Sequence, residues 1–149
     1  MGILIQVHSF LRWIVLILLL TAIIKSLNGM MTKRAYAASD NKISLFLLIS
    51  THTQLLAGIV LYFISPFVMF NAGTMKNNVS RFFTMEHSVM MLIAVALITI
   101  GHVSRKKAAT DAAKFKKAFW FFLIAFLVIF AAIPWPFMQV AKDAVIGWF

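Results

Sequence analysis

The amino-acid sequence predicts an all-α fold: an integral-membrane four-helix up-and-down bundle followed by a short C-terminal interfacial helix. Three observations predict it. Sixty-two per cent of the 149 residues are apolar and the mean hydropathy is +0.94, well above the near-half apolar content of water-soluble domains. The apolar residues gather in four runs long enough to cross ~30 Å of hydrocarbon, which takes ~20 helical residues at ~1.5 Å rise each. The basic residues collect between those runs, with Arg12 and Lys142 the exceptions. Backbone groups in lipid must be satisfied within their own segment, so each run is a helix.

The first run extends from Ile3 to Ile24. It resembles a signal peptide only through Ala35-Tyr36-Ala37; the positive leader is absent, Arg12 interrupts the apolar stretch, and the small residues follow Lys33 and Arg34. Helix one is therefore expected to stay in the mature protein. The second run covers Ile43 to Phe67, the third Phe82 to Val103 and the fourth Ala118 to Ile133. Ile133-Pro134-Trp135-Pro136-Phe137 ends the fourth, because each proline removes a donor and restricts its predecessor, while Trp135 suits a membrane interface. Met138 to Phe149 reads as the short interfacial helix, carrying Trp148 and Phe149. Short connections make neighbouring helices antiparallel, and residues 1–149 form a single transmembrane domain.

A net charge of +10 would indicate nucleic acid in a soluble protein. Here the charge sets orientation instead. Lys25, Lys33, Arg34 and Lys42 lie between helices one and two, and Arg105, Lys106, Lys107, Lys114, Lys116 and Lys117 between helices three and four. The opposite side holds Lys76, Arg81 and Lys142. The positive-inside rule then places both termini outside, in the periplasm of a two-membrane bacterium, with the chain in its inner membrane. The absence of cysteine excludes disulfides, iron–sulfur clusters and covalent C-x-x-C-H haem, so a redox cofactor would need histidine or methionine.

Ionisable side chains within a bilayer cost ~2.5 kcal/mol or more and are functional candidates by default. Six occur here: His8, Arg12, His52, Glu86, His87 and His102, and all four histidines of the chain are among them. Counting ~1.5 Å per residue from the basic boundary places His8 ~8 Å and His87 ~9 Å to the outer side of the midplane, which makes them level. His102 falls ~13 Å and His52 ~6 Å to the inner side, an inner pair that shares a leaflet but not a level. At ~100° per residue His87 and His102 lie about 60° apart, on one face of helix three. Two spaced imidazoles on one helix, each facing a histidine of another, suit bis-histidine haem b, one or two per chain, and bis-histidine iron carries electrons because no coordination site is open. The competing reading makes these histidines hydrogen-bond links between helices.

Other residues have two readings as well. Arg12, one turn below His8, pairs either with a haem propionate or with Glu86. Gln6, Ser9, Thr53 and Gln54 orient imidazoles or bond helices together. Ala57, Gly58 and Gly101 admit a macrocycle or another helix, and Met85, Met90 and Met91 are axial ligands or flexible filler, packing being favoured for both groups.

His8-Ser9-Phe10-Leu11-Arg12-Trp13, His52-Thr53-Gln54-Leu55-Leu56-Ala57-Gly58, Glu86-His87, Gly101-His102 and Ile133-Pro134-Trp135-Pro136-Phe137 resemble segments of a family of small bacterial four-helix proteins labelled cytochrome b-like. The likeness covers nearly the whole chain. A more distant one is to the bacterial cytochrome b561 family, whose four helices hold two b haems and exchange electrons between quinone and the periplasmic side. That likeness implies haem ligation by His8, His52, His87 and His102, although here the helix with two histidines is the third and not the last.

The expected function is a b-type cytochrome moving electrons within or across the inner membrane, with His8 and His87 on an outer haem, His52 and His102 on an inner one, and Arg12 at the cofactor. A membrane quinone and other membrane redox subunits are the expected partners, beside the lipid bilayer and to the exclusion of nucleic acid. Any enzyme activity would be redox chemistry at a haem edge. The alternatives are a haem-free accessory subunit of a larger membrane complex and, third, a proton-conducting bundle using His and Glu86, which lacks the paired helix interruptions of transport sites.

Overall fold

A computed structural model of the chain describes residues 2–145. It is all-helical, with no strand among the described residues. Helix α1 covers Gly2–Thr32 and α2 Ala38–Ile64. A 3₁₀ turn at Thr74–Lys76 leads into a third span, Asn78–Lys106, made of α3 (Asn78–Arg81), a π-turn (Phe82–Glu86) and α4 (His87–Lys106). Helix α5 covers Asp111–Ala132, and α6, Gln139–Asp143, packs against α3. Four of these helical stretches are long and apolar enough to cross a membrane. Each packs against the next in the order α1, α2, α4, α5, and α5 returns to α1.

The helices outrun the predicted apolar runs because polar residues at their ends supply caps. Asn77 accepts from the Ser80 N–H and starts the third span four residues before Phe82. Thr110 accepts from the Ala113 N–H and starts α5 well before Ala118. At the start of α2, Asp40 accepts from the Ala37 N–H at 2.8 Å and holds the Arg34 guanidinium through two bonds, of 2.7 and 2.8 Å. Helix α1 runs on to Thr32 and ends at Lys33, whose φ of 54° reverses the chain without a glycine. In the other direction, α2 stops at Ile64 and not at Phe67. Ser65 precedes Pro66 and is extended (φ −76°, ψ 132°), as a residue before proline prefers. Of the expected terminal helix only Gln139–Asp143 is helical among the described residues, and Trp148 and Phe149 lie outside them.

The core runs along the middle of the bundle and toward the basic loops. Leu19, Leu47, Ile98, Phe122 and Ala125 meet there fully buried. Outward-facing Ile17, Ile24, Phe46, Ile49, Leu56, Leu92, Ile100 and Leu127 leave large apolar side chains exposed on all four long helices, an apolar mantle no water-soluble monomer carries.

Two glycines permit the closest approaches. A Cβ on Gly101 would stand 2.7 Å from the Cβ of Phe121, and one on Gly29 would stand 2.5 Å from the Phe115 ring. Gly101 thus serves helix packing, with α5 occupying the space a side chain would take. At the basic end the Arg34 guanidinium lies 4.7 Å from the centre of the Phe115 ring and Lys25 is 3.5 Å from Asp40, so charge and ring close that end together. Arg105, taken from sequence as a boundary marker, is only 2% exposed and hydrogen-bonds the Tyr36 hydroxyl and the Asn41 side-chain oxygen. Burial pushes the Tyr36 phenol above its ordinary range, which keeps it protonated.

Because the Phe121 Cβ is fixed to a helix backbone and cannot swing away, Gly101→Ala is expected to force α4 and α5 apart. The overpacking cost is about 1–3 kcal/mol, read as a fall of several degrees in the thermal midpoint of the detergent-solubilised protein.

Candidate functional site

Between the four long helices, in the half of the bundle that holds the N-terminus, lies a cavity of about 600 Å³. On α1 its lining runs from Ile5 to Val15, about 15 Å of helix. Mostly apolar side chains surround a few polar ones, among them His8, Arg12, Thr51, Gln54 and His87. This composition and size are typical of small-molecule and cofactor sites.

His87 is placed by two local irregularities. The first is the π-turn at Phe82–Glu86, immediately before it. One extra residue in the turn rotates everything downstream, and such bulges recur at functional sites. Side chains hold the turn in place. The Ser88 hydroxyl donates to the Phe83 carbonyl at 2.7 Å, and the Tyr62 hydroxyl reaches from α2 to the Thr84 carbonyl at 3.0 Å. The Thr84 hydroxyl accepts from the Met69 N–H, which ties the connecting loop to the same turn. The Phe82 and Phe83 rings flank the imidazole, with centroids 5.8 and 6.1 Å away.

The second irregularity is Ile133-Pro134-Trp135-Pro136. A helical carbonyl takes its bond from the N–H four residues on, and Pro134 and Pro136 have none to give to Phe130 and Ala132. Both carbonyls are taken by side chains: the Trp135 indole N–H donates to Phe130 at 2.8 Å, and His87 Nδ1 lies 2.7 Å from the Ala132 oxygen. A carbonyl only accepts, so Nδ1 carries the proton and Nε2 keeps its lone pair. The proline-broken end of α5 therefore sets the tautomer of a histidine on α4.

His8 faces the same cavity from α1, half-buried. Gly58 on α2 makes room for its ring, which lies 3.3 Å from where a glycine Cβ would be. Gln54 donates to the His8 backbone carbonyl at 2.9 Å. The His8 ring nitrogen Nδ1 is buried without a hydrogen-bond partner among the described residues. Arg12 lines the same cavity one turn further along α1.

The structure thus brings His8, His87 and Arg12 to one cavity, and it places the other two histidines elsewhere. His52 is exposed on α2 and bonds Thr99 at 3.0 Å; His102 is buried and bonds Ser44 at 2.8 Å, with an Arg105 nitrogen 3.4 Å away. Neither lines the cavity. Of the two partners considered for Arg12, Glu86 is engaged by Arg81 at 2.7 Å on the exposed surface. Met91 lines the cavity, whereas Met85 is exposed. The contribution of Thr51 was not foreseen, although Thr51 and Gln54, three residues apart, share a helix face with Gly58. Among the described residues no group of three or more His, Cys, Asp or Glu could hold a bare metal ion.

Comparison with known proteins finds no family model that matches the chain, and no curated protein or solved structure that matches it.

If the π-turn is held from outside, Tyr62→Phe should loosen it. Loss of one hydrogen bond, about 0.5–1.5 kcal/mol, is expected to speed amide exchange across residues 82–88 by a factor of about two to ten in hydrogen–deuterium mass spectrometry, with exchange in α5 unchanged.

Proposed function

We propose that this protein is a b-type cytochrome of the bacterial inner membrane, similar to the small four-helix cytochrome b-like proteins, with one haem b held between His8 and His87. The observation that carries the reading is the His87 tautomer: Nδ1–H is fixed on the Ala132 carbonyl and Nε2 is left basic, on a side chain lining a cofactor-sized apolar cavity. Metal-bound histidines characteristically donate their other ring N–H in this way. The group fits in three respects. The porphyrin brings four of the iron ligands itself, so two imidazoles complete the set without a cluster of protein donors. The cavity walls are apolar, as a macrocycle requires. His8 presents its ring to the same cavity as His87, with Gly58 making room for it.

When bound, haem b with two imidazole ligands supplies a one-electron couple and no open coordination position. The chain's own residues bind it, orient it and exclude water. Phe82 and Phe83 confine the His87 ring, Gly58 seats the His8 ring, and Arg12 offsets negative charge. A membrane quinone is the redox partner we favour, alone or with other membrane redox subunits. The His52 contact supports the helix-linking reading for that residue, since Nε2 is taken up by Thr99, whereas His102 bonds Ser44 through Nδ1 and keeps Nε2 open. The ten basic residues flanking the two short loops support cytoplasmic loops and periplasmic termini.

Purified after expression with ample haem, the protein is expected to show a Soret band and split α/β bands typical of low-spin iron. His87→Ala and His8→Ala should each abolish that spectrum, while His52→Ala and His102→Ala retain it. Absence of any Soret band in the wild type would remove the cytochrome reading and leave the haem-free subunit. Orientation is checked separately in this cysteine-free chain: in intact cells a membrane-impermeant maleimide should label Lys142→Cys and spare Lys107→Cys.

A further inference from the structure

Two oxygens without hydrogen-bond partners belong to side chains lining the deeper end of the cavity, and we infer that this end receives the carboxyl edge of the bound porphyrin, held by Thr51 and Gln54 of α2. The inference rests on the haem reading above.

The hydroxyls toward the outer mouth of the cavity are already engaged: Tyr62 bonds the Thr84 carbonyl, Ser88 the Phe83 carbonyl, and Ser65 accepts from the Phe67 N–H. Deeper in, the pattern reverses. Among the described residues, Thr51 Oγ1 and Gln54 Oε1 are buried without a hydrogen-bond partner, and both side chains line the cavity. Thr51 is the more telling. A threonine in a helix ordinarily returns its hydroxyl to the carbonyl four residues back, as Thr21, Thr32, Thr53 and Thr99 do here, at 2.7–2.9 Å. Thr51 does not, although it is only 4% exposed. Gln54 is locked as well: its amide nitrogen donates to the His8 carbonyl, which leaves Oε1 as a fixed acceptor.

A donor hydroxyl and a fixed acceptor on one helix face, with a guanidinium on the facing helix, match a carboxylic acid edge. An ionised carboxylate accepts from Thr51 and is balanced by Arg12, while a protonated one donates to Gln54. The apolar edge then lies outward, among Phe63, Phe67 and Phe83. The acid groups accordingly point toward the middle of the bundle, and the vinyl edge toward the outer surface, where a partner would meet it. Thr51 and Gln54 act as positioning residues.

The test titrates the detergent-solubilised full chain with haem and with haem dimethyl ester, which lacks both acid protons and both charges. The wild type is expected to hold haem at least about tenfold more tightly than the ester. Thr51→Val and Gln54→Leu should each shrink that ratio severalfold, and Thr51→Ser should keep it. Equal affinity for both porphyrins with a normal low-spin spectrum, or a ratio unmoved in the variants, overturns the assignment of this edge and leaves the haem reading standing. No low-spin spectrum with either porphyrin, in a protein whose circular dichroism remains helical, removes the haem reading and this inference with it. The wild-type comparison decides the matter even where a variant fails to fold.

Discussion

Hydrocarbon offers no hydrogen bonds, so within these helices every polar group has to find its partner in the protein, and most of the chain's unusual features are answers to that demand. Threonines fold their hydroxyls back onto their own helices. Ser44 and Thr99 meet the histidines of the facing helix. Phe130 and Ala132, whose carbonyls lose their helical donors to two prolines, are served by an indole and an imidazole. The same demand turns the few unanswered atoms into a signal. Among the described residues, His8 Nδ1, Thr51 Oγ1 and Gln54 Oε1 belong to side chains that line a single cavity, while Arg105 Nε lies at the basic end, away from it.

The two halves of the bundle divide the work. Toward the basic loops the interior is closed by the Asp40–Arg34–Lys25 cluster, the Phe115 ring seated on Gly29, and the buried Arg105 with Tyr36 and Asn41. Several of those contacts join α1, α2, α4 and α5 at one level, which fixes the helices relative to one another. Toward the termini the helices enclose a void instead of a core, and a void of that size is tolerable only if the other half is rigid or if something fills it. The π-turn sits at the boundary between α3 and α4, where the loop from α2 is pinned to Thr84, and aims His87 into the void.

Much of this could be read from the sequence because a bilayer simplifies the code. Four apolar runs predicted the four long helices, and level counting at ~1.5 Å per residue put His8 and His87 together. What it missed has physical causes. A uniform helical rise cannot register a π-turn, so the rotation of residues beyond Phe82 was invisible. Arg105 counted as a loop charge because hydropathy does not tell a solvated guanidinium from one folded back under Tyr36. Glu86 looked buried by its position within an apolar run, but it lies near the end of its span, where Arg81 meets it in the exposed layer. For His52 and His102 nothing in the sequence pointed to their hydroxyl partners, because Thr99 and Ser44 lie on other helices, far away in the chain.

The proline pair shows how far one local rule can travel. Pro136 lacks the N–H that would close the last turn of α5, so Ala132 keeps a carbonyl that needs a donor. His87, brought beside it by the π-turn, supplies the donor from Nδ1, and that commitment settles the chemistry of the opposite ring nitrogen. Ile133, extended ahead of Pro134, ends the helix there, so the Ala132 carbonyl has no helical donor and the imidazole supplies one. The basicity of the His87 Nε2 lone pair thus depends on a residue in another helix cap.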